Sequence, residues 1–148
     1  MTRIQPLNMI NKTTIVCIGA SLAFAWTSAL AAEEKADTSK LPPASTKTGV
    51  TYETDIKPIF EKSCVKCHSG EKPKARLRLD TLENALKGSQ HGKVIAPGKS
   101  ADSKLVLSVA HVGDEDDWMP PPNNKAKIPA LTAEQVGLIR AWIDQGAK

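Results

Sequence analysis

Large aromatic side chains are nearly absent from this sequence. One tyrosine, two phenylalanines and three tryptophans serve 148 residues. That length has room for one domain, and a domain so poor in rings has a thin core that a bulky apolar prosthetic group or a staple would help. Cysteine is equally scarce. The three are Cys17, Cys64 and Cys67, and with no second CxxC pair a four-cysteine zinc site is excluded. A strong charge of either sign is also missing. Lys and Arg number 20 against 16 Asp and Glu, a net charge of +4. The positive residues are scattered among acids without interleaved aromatics, so the chain does not read as a nucleic-acid binder. There is no internal repeat and no pair of β-branched runs that would make a hairpin.

One apolar run is present, and it lies at the start. Residues 1–32 read as a secretory signal peptide: Arg3 and Lys12 ahead of an uncharged "TTIVCIGASLAFAWTSAL", then small residues at Ala29 and Ala31. The alternative is an uncleaved anchor, the only route by which this chain would meet a membrane. Cys17 follows Thr14-Ile15-Val16, which lacks the small residue of a lipoprotein acceptor site. Cleavage removes Cys17, Arg3 and Lys12, leaving Cys64 and Cys67 as an even pair in a periplasmic or otherwise exported protein. Residues 33–50, rich in Ser, Thr, Pro and Lys, read as a flexible linker. Residues 51–148 are then the folded domain.

That domain reads as all-α, with four to five short helices. "TDIKPIFEKSCVKC" places Ile56, Ile59, Phe60, Cys64 and Cys67 on one helical stripe, with Pro58 either kinking the helix or marking its start. "DTLENALKG" has a capping-box pattern at Asp80 and Glu83, and Gly88 as a stop. "SADSKLVLSVAHV" turns Leu105, Val106 and Val109 inward. "GDEDDWMPPPNNK" is a long non-helical loop. In the last helix Thr132 and Gln135 form a capping box. Val136, Leu138, Ile139, Trp142 and Ile143 make its apolar face, with Gly137, Arg140, Ala141 and Asp144 opposite.

Cys64 and Cys67 stand three apart in "CVKCH". A thiol oxidoreductase would set such a pair in a βαβ unit, and a plain disulfide here would close too small a loop to stabilise much. His91 and His111 match no zinc-finger spacing. A c-type haem uses every part. Two thiols one turn apart each form a thioether to the haem, and the adjacent His68 becomes the proximal iron ligand.

For the second axial position the sequence offers Met119, the single methionine left after the signal, in "DWMPPP". The residue before a proline is driven to an extended backbone. Pro120, Pro121 and Pro122 stiffen the segment, which suits a rigid loop that holds a thioether against iron. His111 and His91 are the competing distal ligands. His111 reads better as a helix C-terminal histidine and His91 as a solvent-facing loop residue.

These motifs resemble a known family. "CVKCH", a later "MPP" and a terminal amphipathic helix are similar to small single-haem cytochromes c. "IKPIFEKSCVKCHSG", "LRLDTLENALKG", "VIAPGKSADSKLVLSV" and "LTAEQVGLIRAWIDQGA" resemble, more narrowly, the planctomycete-type cytochrome c domain. The resemblance implies an all-α cytochrome c fold around one covalently bound haem c, attached at Cys64 and Cys67 and ligated by His68 and Met119. Family members often carry glycines where this chain has Lys74-Ala75-Arg76. The implied function is a one-electron carrier, not an enzyme, exchanging electrons with a donor and an acceptor protein. Lys62, Lys66, Lys72 and Lys74 around the motif suit acidic partners. The alternative is a haem-based gas or redox sensor, or a haem enzyme, with an open distal site. The run Asp114 to Asp117 reads as solvated loop.

Overall fold

In a computed structural model the chain is described over residues 36–148. The expected signal peptide lies outside the described residues. Four α-helices carry the fold: α1 (Lys57–Ser63), α2 (Leu82–Lys87), α3 (Lys104–Val109) and α4 (Ala133–Asp144). Among the described residues the β-type pairing is one isolated bridge, Ser89 to Gly92, and no helix is long and apolar enough to cross a membrane.

The first stripe forms in two parts. A wide π turn, Tyr52–Ile56, is capped by the Thr51 side chain and runs into α1, with Pro58 in the first turn of α1. Pro58 thus marks a start, where its missing N–H costs nothing. The cap of α2 is Thr81, whose side chain accepts from Asn84 N, one residue past the expected Asp80. Asp80 instead pairs with Arg78 and accepts from Asn84. The third helix is interrupted: a 3-10 turn, Ser100–Asp102, precedes α3, and Ser103 turns its hydroxyl back to Lys99 O. The capping box of α4 is present in both directions.

The core gathers on three rings. Tyr52, Phe60 and Trp142 pack mutually at centroid distances of 5.9 to 6.3 Å, which joins the π turn, α1 and α4. Ring pairs at such spacings are worth about 0.5–1.5 kcal/mol each beyond the area they bury. The Tyr52 hydroxyl donates to Leu79 O at 3.0 Å, and burial pushes its pKa up to about 12. The core is therefore tied to the loop that follows the CVKCH motif.

The linker expected over 33–50 is corrected from residue 37 onward: it is a strap laid along α4. Ser45 N donates to Gly137 O, Arg140 to Pro42 O, and Gln145 bonds Val50 N and Lys47 O. Leu41 and Val50 are buried. The strap also corrects the face of α4 expected to meet solvent. Gly137 and Ala141 are buried, and a Cβ on Gly137 would stand 2.7 Å from Pro43 O. The pairing is mostly with backbone atoms, so a segment with few apolar side chains is held without a hydrophobic stripe.

Candidate haem site

The CVKCH motif continues past α1 as a single turn, with Cys67 N and His68 N both donating to Cys64 O at 3.0 and 2.9 Å. The following loop folds back on it. Lys74 N donates to Cys67 O and Leu79 N to His68 O. These bonds fix both thiols and the imidazole on one turn. Neither cysteine is in a disulfide. Cys64 is buried, and burial together with the nearby Cys67 pushes its thiol up to about 12.

His68 is 8% exposed. Its Nδ1 lies 3.3 Å from Leu77 O. A carbonyl only accepts, so Nδ1 carries the proton and Nε2 is left with its lone pair. Burial lowers the His68 pKa, only partly offset by the backbone hydrogen bonds. A neutral imidazole with its second nitrogen engaged by a carbonyl is the form that binds metals.

Cys64, Cys67, His68 and Met119 all line one cavity of about 730 Å³, within the range of about 300–1,000 Å³ usual for ligand clefts. Its walls include Leu77, Leu79, Val94, Leu105, Val109 and Ile128. Met119 is held from behind, its N donating to Ser108 O at 3.0 Å. The wall beyond it is closed by Asn124, which donates to Pro121 O and Ile128 O and accepts from Ile128 N. Lys66, Lys74, Lys104 and Lys125 stand around the cavity with Asp117, which pairs with Lys104 at 3.0 Å. Lys62 and Lys72 are exposed nearby. His91 is an exposed lining residue bonded to Gln90. His111 is absent from the described lining and stacks on Trp118.

The loop that bonds His68 has a conformation rare for its residues. Ala75 and Arg76 hold φ of 52° and 53°. Among the described residues no three His, Cys, Asp or Glu side chains converge as a metal cluster. The donors do fit a c-type haem: two free thiols, a neutral imidazole and a thioether sulfur around one apolar cavity.

Sequence reasoning found the four cavity side chains but not the groups that hold them, Leu77 O, Ser108 O and Asn124. The first two are backbone carbonyls without any sequence signature. Asn124, in "PPPNN", is a turn-forming type whose amide bonds nearby backbone, a signal that was open to reading.

No curated protein and no solved structure matches the chain. Residues 64–123 match the family model for planctomycete cytochrome C. The match begins at the first thiol of CVKCH and runs past Met119 to Asn123, leaving α1 and α4 outside it. That family implies covalently bound haem c, and over this span the chain is similar to a planctomycete-type cytochrome c domain.

Proposed function

We propose that this protein is an exported one-electron carrier with a single haem c, bound by thioethers at Cys64 and Cys67 and ligated by His68 and Met119. The observation that carries the proposal is the convergence of those four side chains on one largely apolar cavity, with His68 Nδ1 occupied by Leu77 O. When bound, the haem supplies a metal centre that gains and loses one electron. The chain's own residues do the rest. His68 offers Nε2 and is kept from rotating by Leu77 O. Met119 offers a soft sulfur from a loop fixed at Ser108 O, which favours the reduced state relative to a second imidazole. The apolar walls exclude water, and the lysines around the mouth attract acidic donor and acceptor proteins. With His68 and Met119 both holding the group, no position on it would be left for a substrate, which would favour a carrier over a sensor or a haem enzyme.

The test is spectroscopic. The haem stays with the polypeptide through acidified organic solvent, and Cys64→Ala with Cys67→Ala abolishes this. The oxidised protein is low-spin with the weak near-red absorption of a sulfur–iron bond, and the reduced protein binds carbon monoxide poorly. Met119→Ala lowers the potential and opens the site to external ligands. A wild type already five-coordinate, or a spectrally silent Met119→Ala, refutes the ligation. Export predicts a mature N-terminus at Ala32 or Glu33 by intact mass.

A further inference from the structure

Among the described residues, one buried side-chain polar atom has no hydrogen-bond partner: Nε2 of His111. The same residue holds a left-handed backbone, φ 54°, as the residue that ends α3 in a Schellman cap, with His111 N donating to Ser108 O and Val112 N to Leu107 O. Its ring lies on Trp118, with centroids 4.8 Å apart and planes 4° from parallel. An unpaired nitrogen, a helix-ending turn and a parallel ring contact thus meet at one residue just beyond α3.

The connections of Trp118 give that arrangement a use. Its indole Nε1 donates to Gly113 O at 3.3 Å, and its backbone leads directly into Met119, whose N is held by Ser108 O. Val112, next to His111, is buried and donates to Leu107 O at 3.0 Å. The segment 111–119 is therefore a closed turn pinned to α3 at both ends, and the stack joins the two ends across it. A methionine side chain has three soft torsions and adapts to whatever space it meets. Its sulfur keeps one position only if its backbone is fixed.

We propose that the His111–Trp118 stack is a clasp that fixes Met119 at the cavity wall, with His111 acting as a flat ring and not as an iron ligand or hydrogen-bond donor. The proposal rests on the reading of Met119 as distal ligand. It makes His111 a positioning residue, distinct from both the helix-dipole partner and the rival ligand that the sequence suggests.

The experiment uses the haem-loaded oxidised protein and free imidazole as a probe of how readily the sixth position opens. His111→Ala binds imidazole about two- to tenfold more tightly than wild type, the range expected for the loss of one ring stack. It also weakens the near-red sulfur–iron absorption and lowers the potential. Trp118→Ala moves all three readouts the same way. His111→Phe returns them to wild type, because it keeps the ring and discards the imidazole. Gly137→Ala, which disturbs the strap on α4, lowers thermal stability and leaves imidazole affinity unchanged, so general destabilisation is not what the probe reads. Wild-type imidazole affinity in His111→Ala, beside free binding in Met119→Ala, overturns the clasp alone. His111→Phe as open as His111→Ala overturns it by showing that the imidazole itself is needed. A spectrally silent Met119→Ala instead refutes the underlying ligation.

Discussion

At Ala75 the backbone has the dihedrals of a glycine and the side chain of an alanine, φ 52° and ψ 21°. An L-residue in this region costs about 1–2 kcal/mol, and part of that returns when glycine's greater unfolded-state freedom is counted, about 0.4–1 kcal/mol. Ala75→Gly is therefore expected to raise stability by a few tenths to about 1 kcal/mol, measured by denaturant unfolding of the haem-loaded protein, with its absorption spectrum unchanged. The strain is tolerated because the turn places Leu77 O on His68 and Ala75 O on Gln90 N. Cys64, Cys67, His68 and Met119, which line one cavity, stood out in the sequence, since CVKCH and a methionine before proline are patterns of side-chain type. The left-handed pair did not, because nothing in "KAR" announces positive φ.

Among the elements, α4 was legible at its start and its apolar face, and illegible on its back. Thr132 and Gln135 announce their capping box by type and spacing, whereas the strap is held by Pro42 O, Ser45 N and Lys47 O, which any sequence would supply. Two outcomes follow from the strap. Gly137→Ala gains helix propensity, up to about 1 kcal/mol. It also drives a Cβ against Pro43 O, which cannot yield without moving the strap, and overpacking of this kind costs about 1–3 kcal/mol. The expected net is a loss of stability in thermal unfolding, with haem attachment intact. The second outcome concerns acid. Asp55 accepts from Lys47, Thr51 N and the Thr54 hydroxyl. These bonds, the Lys47 contact first, hold its carboxyl at about 2. A depressed folded-state pKa contributes stability that is present above the ordinary carboxylate range, about 4. That stability is lost as pH falls toward 2. Asp55→Asn is therefore less stable than wild type at neutral pH, and the difference closes between about pH 4 and pH 2 in a denaturation series.

At the scale of the whole molecule, aliphatic side chains, Leu77, Leu79, Val94, Leu105 and Val109 among them, line a cavity of about 730 Å³. Without the group that the four side chains would hold, the apolar walls of that cavity stand open to water, and each apolar side chain left exposed forfeits about 1.5–3 kcal/mol. A domain's entire stability is about 5–15 kcal/mol. The protein made without haem, or as Cys64→Ala with Cys67→Ala, is therefore expected to lose its cooperative thermal transition. Circular dichroism through a temperature ramp would show this, and a sharp unmodified transition would contradict it. The strap bears on how such a protein is assembled. Its hydrogen bonds join positions 95 and 98 residues apart, so they are among the most non-local contacts of the fold, the kind that forms late. A polypeptide that emerges amino end first presents the strap 95 to 98 residues before its partners. Until those residues follow, Pro42 and Val50 have nothing to bind and the rings of Tyr52 and Phe60 lack Trp142. During that interval the two thiols sit on an unclosed chain. The strap and the ring cluster are thus completed only once α4 is present, and Cys64 is buried in the result.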